Sequence, residues 1–387
     1  MKVLFFTSAL PLPPFSGGQV RSLNLLKQIS KEHEVTLFSF IRQESELNYL
    51  SELKKIVKEV KTFKRRKINS FNNLKYLVKY PFAAALYYDP EVTRKLKVEL
   101  RQGYDLAHFE SFYTFPFLEK DLGVKVVAGN QNVEYFIYQR YAATKKEPAR
   151  SLMKFDIARM KTYEENKWKI ADTSLAVSVS DQKVIEDVVS KDCPVIPNGI
   201  DIDFFKGVKR QPEDSLFLFV GPTNYIQNAD SAIWLVKEIW PEIKRAVPNA
   251  RLWFVGRAQQ DWLLKLNNPD IKVQTDLNDI REAYCKATVM LAPLRAGSGT
   301  KFKVLEAFAS SLPVITTKVG IEGLEARPRE EFLLAETPAE FSLACAELLE
   351  NSALNVKIVQ GAKKLVEEKY SWEKIGRKLN SVYAKTA

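Results

Sequence analysis

A chain of 387 residues is long enough for two domains, each able to bury a core of its own. Its 46% hydrophobic and 27% charged residues exclude a disordered or fibrous chain, and its net charge of +11 favours anionic partners. Three widely separated cysteines and two histidines exclude a disulfide framework and a histidine-based zinc site, and point to a reducing compartment.

The N-terminus begins with Lys2 and the apolar Val3-Leu4-Phe5-Phe6. Pro11, Pro13 and Pro14 break that run early and no small-residue cleavage pattern follows, so the segment reads as a buried strand over Val3–Thr7 and not as a signal peptide. A Gly17-Gly18 turn then leads into a helix over Gln19–Ser30, with Leu23, Leu26 and Ile29 inward, and a strand over Glu34–Phe40. Lysines and arginines crowd residues 54–67, and Lys75 and Lys79 follow among Tyr76, Leu77, Tyr80 and Phe82. Such a basic and aromatic segment docks on anionic lipid headgroups, solvates an exposed helix or binds nucleic acid. No zinc-finger spacing or RNA-reading aromatic motif supports nucleic acid. No apolar run is long enough to span a bilayer.

Further strands are predicted at Leu106–Phe109, Lys125–Ala128 and Ser174–Val177, and helices at Ala149–Ile170 and Asp181–Val189, the latter capped by Ser180. Pro194 to Gly199 breaks the pattern, and Asp201–Pro212 reads as a linker. A second alternating block follows. Its strands fall at Leu216–Gly221, Arg251–Val255, Ile271–Gln274, Thr288–Leu291 and Pro313–Thr316. Its helices fall at Ala229–Ala246, Asn278–Lys286, Lys301–Ala309, Pro338–Glu350 and Ala353–Glu368. Two consecutive blocks of this kind imply an α/β protein of two doubly wound, Rossmann-like domains facing a cleft. The expected boundaries are 1–192 for the first domain, 193–212 for the linker, 213–370 for the second, and 371–387 for a helix crossing back to the first. Trp234, Trp240 and Trp253 belong to the second core.

The densest chemistry lies at Gly297-Ser298-Gly299-Thr300, between a strand and a helix. Unpaired amides and the helix dipole favour an anion there, and Lys301 and Lys303 add full positive charge. Glu306, one turn later, accepts hydroxyl hydrogen bonds, so a nucleotide or nucleotide-sugar fits best. No G-x-G-x-x-G fingerprint or Walker A ending is present. Gly17 and Gly18 sit at another strand end, where backbone approaches a ligand closely. Arg21 reads as a phosphate partner or a surface ion pair, and His108 as an acceptor contact or a satisfied core histidine. Asp201-Ile202-Asp203 imitates a metal-binding signature, but its place after Pro-Asn-Gly marks it as a decoy.

Six fragments occur in one family order: Ser16-Gly17-Gly18 with His33-Glu34-Val35-Thr36, Asn132-Val133-Glu134-Tyr135, Tyr163-Glu164, Ala171-Asp172 with Val177 to Ser180, Pro197 to Asp201, and Lys303 to Pro313. Together they resemble the retaining glycosyltransferases of family 4, of GT-B fold, nearly end to end. The chain departs from that family's E-x7-E pair, with Ser298 in the first place, and matches a branch reading G-x-G-T-[RK]-x-K-x-x-E. Pro222 and Asn228 stand near the usual diphosphate-binding Arg and Lys, and Gln131 where a histidine is frequent. The resemblance implies hexose transfer from a nucleoside-diphosphate sugar to an acceptor hydroxyl, without a metal or cofactor. It assigns Lys301 and Lys303 to catalysis, and Gly17, Gly18, Ser298, Gly299, Thr300 and Glu306 to the donor. His108, Gln131, Asn132 and Glu134 are candidates for acceptor or sugar contacts. The expected setting is the cytoplasm, peripherally at the inner membrane face, with a glycan or lipid-linked acceptor and no nucleic acid. A sugar-nucleotide epimerase of the same fold and an inactive binding module are the alternatives.

Overall fold

The computed structural model describes residues 1–65, 75–143, 146–266, 268–275, 277–296 and 300–387. The chain divides into two compact units, Met1–Asn198 with Trp372–Ala387, and Gly199–Ser371. In the first, β1 (Lys2–Thr7), β2 (Glu34–Ile41), β3 (Glu59–Lys64), β4 (Leu106–Glu110), β5 (Lys125–Gly129) and β6 (Thr173–Leu175) form one sheet. Its order is β3-β2-β1-β4-β5-β6, with every neighbouring pair parallel. In the second, β7 (Leu216–Val220), β8 (Arg251–Val255), β9 (Ile271–Gln274), β10 (Val289–Ala292), β11 (Val314–Thr316) and β12 (Leu333–Leu334) run β12-β11-β10-β7-β8-β9, again all parallel. Counted within its own unit, each sheet has the order 3-2-1-4-5-6. The winding therefore reverses between β1 and β4 in one unit, and between β7 and β10 in the other. Sheets of this kind bind ligands beyond the carboxyl ends of those strands.

The central strands form because their apolar runs are buried on both faces, as parallel strands covered by helices must be. Val3 to Phe6 and Phe217 to Phe219 are wholly buried. β3 is different: it lies at the sheet edge and mixes Glu59, Lys61 and Lys64 with Val60, Thr62 and Phe63. Charge on an edge strand discourages pairing with another chain. Part of the basic segment is thus sheet rather than helix. Lys58, Lys61 and Lys64 pair with Glu34, Glu99 and Glu44. Residues 66–74, including Arg66, Lys67, Phe71 and Leu74, lie outside the described residues.

Helix starts follow their caps. Ser16 caps Gly17–Ile29, Ser178 rather than Ser180 caps Val179–Val189, and Thr337 with Glu340 forms a capping box on Pro338–Glu350. The segment expected as a linker divides at Asn198 and Gly199, and carries a short helix, Ile202–Lys206. Asp201 caps that helix by accepting from the Phe204 amide at 3.0 Å, which gives the imitation metal signature a structural task. The helix Trp372–Thr386 belongs to the first unit, where Trp372, Ile375, Leu379, Val382 and Tyr383 are buried. Trp234, Trp240 and Trp253 are buried in the second unit. Among the described residues, no helix is long and apolar enough to cross a membrane.

Candidate active site

At the switch point of the second sheet, Gly221 directly follows β7. Its φ of +139° is a conformation that a side chain strains, and a Cβ there would meet Asn228 Nδ2 at 2.8 Å and Lys303 Nζ at 2.9 Å. Asn228 lies in the first turn of the helix Ile226–Trp234. Its Nδ2 donates to the Pro222 carbonyl at 2.9 Å, and its Oδ1 accepts from Lys303 Nζ at 2.8 Å. The ammonium also lies 4.9 Å from the centre of the Phe219 ring. Lys303 stands on the helix Phe302–Ala309, whose buried face is Val304, Leu305, Ala307, Phe308 and Ala309. Burial pushes the Lys303 ammonium down to about 7, against the opposing charge of Glu306.

One turn on, Glu306 Oε2 accepts from the Tyr284 hydroxyl at 2.6 Å. Tyr284 is wholly buried on the helix Arg281–Lys286, edge-on to Phe205. Burial raises the Glu306 carboxyl, with the Tyr284 hydrogen bond and the Lys303 charge opposing. Lys301 occupies the N-cap of the Phe302–Ala309 helix and supplies no capping bond. Beside it, the buried Thr300 hydroxyl has no hydrogen-bond partner among the described residues. Gly297, Ser298 and Gly299 lie outside the described residues. Thr300, Lys301, Lys303 and Glu306 thus come together with Asn228, Tyr284 and Gly221. The arrangement offers a cation, a hydroxyl and a carboxylate at the carboxyl end of a parallel sheet. Tyr284 carries no local signal of its role, whereas Gly221 is legible as a glycine closing an apolar strand.

In the first unit, the expected sugar contacts have other work. Arg21 is buried, not on the surface: its Nε donates to Glu110 Oε1 at 2.8 Å, and its Nη1 to the Ile196 and Pro197 carbonyls at 2.8 and 3.0 Å. His108 is wholly buried, with Nε2 2.8 Å from Glu110 Oε2 and Nδ1 2.6 Å from the Tyr383 hydroxyl. Both ring nitrogens are used, so His108 is a core histidine and not an acceptor contact. Burial alone would raise Glu110, but the Arg21 guanidinium and the His108 ring outweigh it and hold the carboxyl at about 2. Glu134 is buried too: it accepts from the Tyr113 hydroxyl at 2.6 Å, and its own amide donates to Glu164 at 2.9 Å. That burial removes it from the acceptor contacts. Gln131 and Asn132 remain half-buried at the end of β5. Gln131 donates to Glu110 at 3.2 Å and fills the space beside Gly18, where a Cβ would meet its Oε1 at 2.6 Å. Gly17 opens the first helix and is exposed.

Two six-stranded parallel sheets with flanking helices define a two-domain α/β protein of GT-B fold. The same architecture occurs in HepE from Anabaena in complex with UDP and glucose, with a TM-score of 0.68 at 14% identity over the whole of both chains. Sucrose-phosphate synthase from Thermosynechococcus elongatus gives 0.69 at 14% identity, covering all of this chain and 98% of that one. Residues 214–351 match the family of group 1 glycosyl transferases. An uncharacterized 44.6 kDa protein in the cps region of Klebsiella pneumoniae is 22% identical, covering 97% of each chain. Together these findings support a glycosyltransferase.

Proposed function

We propose that the protein is a retaining, metal-independent glycosyltransferase that moves a hexose-type sugar from a nucleoside-diphosphate sugar to an acceptor hydroxyl. The observation that carries this reading is the Lys303 ammonium, held by Asn228 at the carboxyl end of β7, one helical turn from the Glu306 carboxylate. Charge builds on the departing diphosphate, and cations fixed beforehand lower that barrier most. Lys301 and Lys303 serve the diphosphate with Ser298, Gly299 and Thr300, while Glu306 accepts from the ribose hydroxyls. Asn228 stands near the place where the resemblance expects a lysine, and the ammonium of Lys303 reaches it from another helix. The cation is therefore relocated and not lost. We assign no carboxylate nucleophile among the described residues, so the acceptor attacks from the face that the diphosphate leaves.

The UDP complex of HepE supports a nucleotide-sugar donor, and the cps-region relative supports a role in cell-surface polysaccharide or glycolipid synthesis. In this reading Gly17 and Gly18 stay with the donor, as the resemblance implies, and Gln131 and Asn132 serve the acceptor or the transferred sugar. The working place is the cytoplasmic face of a membrane. A panel of nucleotide-sugars tests the proposal by donor hydrolysis and transfer. Glu306→Ala lowers nucleotide affinity in a folded protein, and Lys303→Ala lowers turnover on the order of a hundred-fold. Unchanged kinetics in both variants sink the site, an isomerised sugar makes the protein an epimerase, and no donor-dependent thermal shift makes it a binding module.

A further inference from the structure

We propose that the first unit carries a docking surface for an anionic lipid bilayer, built from the turn at 75–82 and the start of the Ala149–Ile170 helix. Four large apolar side chains stand out from these two elements: Val78 is 89% exposed, Phe82 49%, Leu152 75% and Phe155 69%. They form one patch, because the elements are tied together. Asp156 accepts from the Phe82 amide at 3.1 and 3.2 Å, and Arg159 donates to the Tyr80 and Val78 carbonyls at 3.0 and 3.4 Å. Leu152 lies one turn before Asp156, and Phe155 beside it. Nor is the turn loosely seated: the Tyr80 ring is buried beneath it, 4.7 Å from Tyr88 and edge-on to Tyr163. The protein therefore holds these apolar groups in water by construction, and an exposed cluster of this kind marks an interaction site.

Charge identifies the partner. Lys75, Lys79, Arg150 and Lys154 are exposed on the same two elements. Of the acids beside them, Asp156 is taken by the Phe82 amide and by Arg159 at 3.5 Å, and Glu147 accepts from the Ser151 amide at 3.1 Å, so the basic residues outnumber the acids four to two. Apolar side chains framed by lysine and arginine match a headgroup boundary, where acyl chains receive the former and phosphates the latter. The basic run at 58–64 is not this surface, since its lysines pair with glutamates of their own unit. The surface belongs to the first unit and Lys303 and Glu306 to the second, so it stands whether or not the proposed reaction is correct.

Sedimentation of the full chain with vesicles tests the proposal, using phosphatidylcholine alone and phosphatidylcholine mixed with phosphatidylglycerol. The wild type binds the anionic vesicles, less so as salt rises. Lys79→Glu with Lys154→Glu lowers partitioning on the order of twenty-fold, and Leu152→Ser with Phe155→Ser roughly ten-fold. Circular dichroism and nucleotide affinity without vesicles stay unchanged in both variants, which separates lost docking from lost folding. Failure of the wild type to sediment, or equal sedimentation of wild type and variants, overturns the proposal. So does a wild-type dimer that ignores vesicles and that the Leu152 and Phe155 variant takes apart.

Discussion

A lysine whose hydrogen bond goes to the neutral amide of Asn228, and not to a carboxylate, titrates within reach of physiological pH. Lys303 sits at about 7 because burial disfavours its charge. A diphosphate binds the charged form, so nucleotide affinity falls as pH rises above about 7, by up to about ten-fold per pH unit. Calorimetric titration across that range checks this, and Lys303→Arg, whose guanidinium stays charged, flattens the slope. The opposite case is Glu110. Its folded value of about 2 lies below the ordinary 4.5, so its stabilisation is complete above 4.5 and is lost as pH falls toward 2. Arg21→Leu strands that carboxylate in the core and costs about 3–5 kcal/mol. Chemical denaturation at neutral pH measures the loss, and an acid transition displaced to higher pH accompanies it. The motif at Lys301, Lys303 and Glu306 was legible because its residues are close in sequence. The pairing of Arg21 with Glu110, of His108 with Tyr383, and of Glu306 with Tyr284 was not, because each joins positions that only the fold brings together.

Strands buried on both faces announce themselves, and β1, β7 and β8 were readable as continuous apolar runs. β3 was hidden, because an edge strand carrying Lys61 and Lys64 has the composition of a solvated segment. The helices Pro90–Leu100 and Glu134–Ala143 also escaped notice, the second because its aromatic residues follow no clear helical stripe. The helix Trp372–Thr386 was expected and proves deeply anchored: Leu379 is wholly buried, and a Cβ on Gly376 would lie 2.3 Å from Gln28 Cβ. Leu379→Ala removes core contacts and leaves a cavity, at a cost of about 2–5 kcal/mol. A lowered melting temperature with unchanged nucleotide affinity is the expected result, because Lys303 and Glu306 belong to the other unit.

For the molecule as a whole, nucleotide should stabilise the two units unequally. Nucleoside diphosphate at about a hundred times its Kd adds about 2.7 kcal/mol to whichever unit binds it. In scanning calorimetry the transition of 199–371 moves up while that of the first unit stays, and a shift confined to the first unit refutes the donor assignment. The same division governs biosynthesis. The second unit is one unbroken stretch and has all its residues as soon as Ser371 is made. The first has its sheet long before, yet lacks Tyr383 for His108 and Leu379 for its core until the helix Trp372–Thr386 is made. On the growing polypeptide the earlier-made half is thus the later one to mature. For that interval it presents an unfinished apolar face to which chaperones bind.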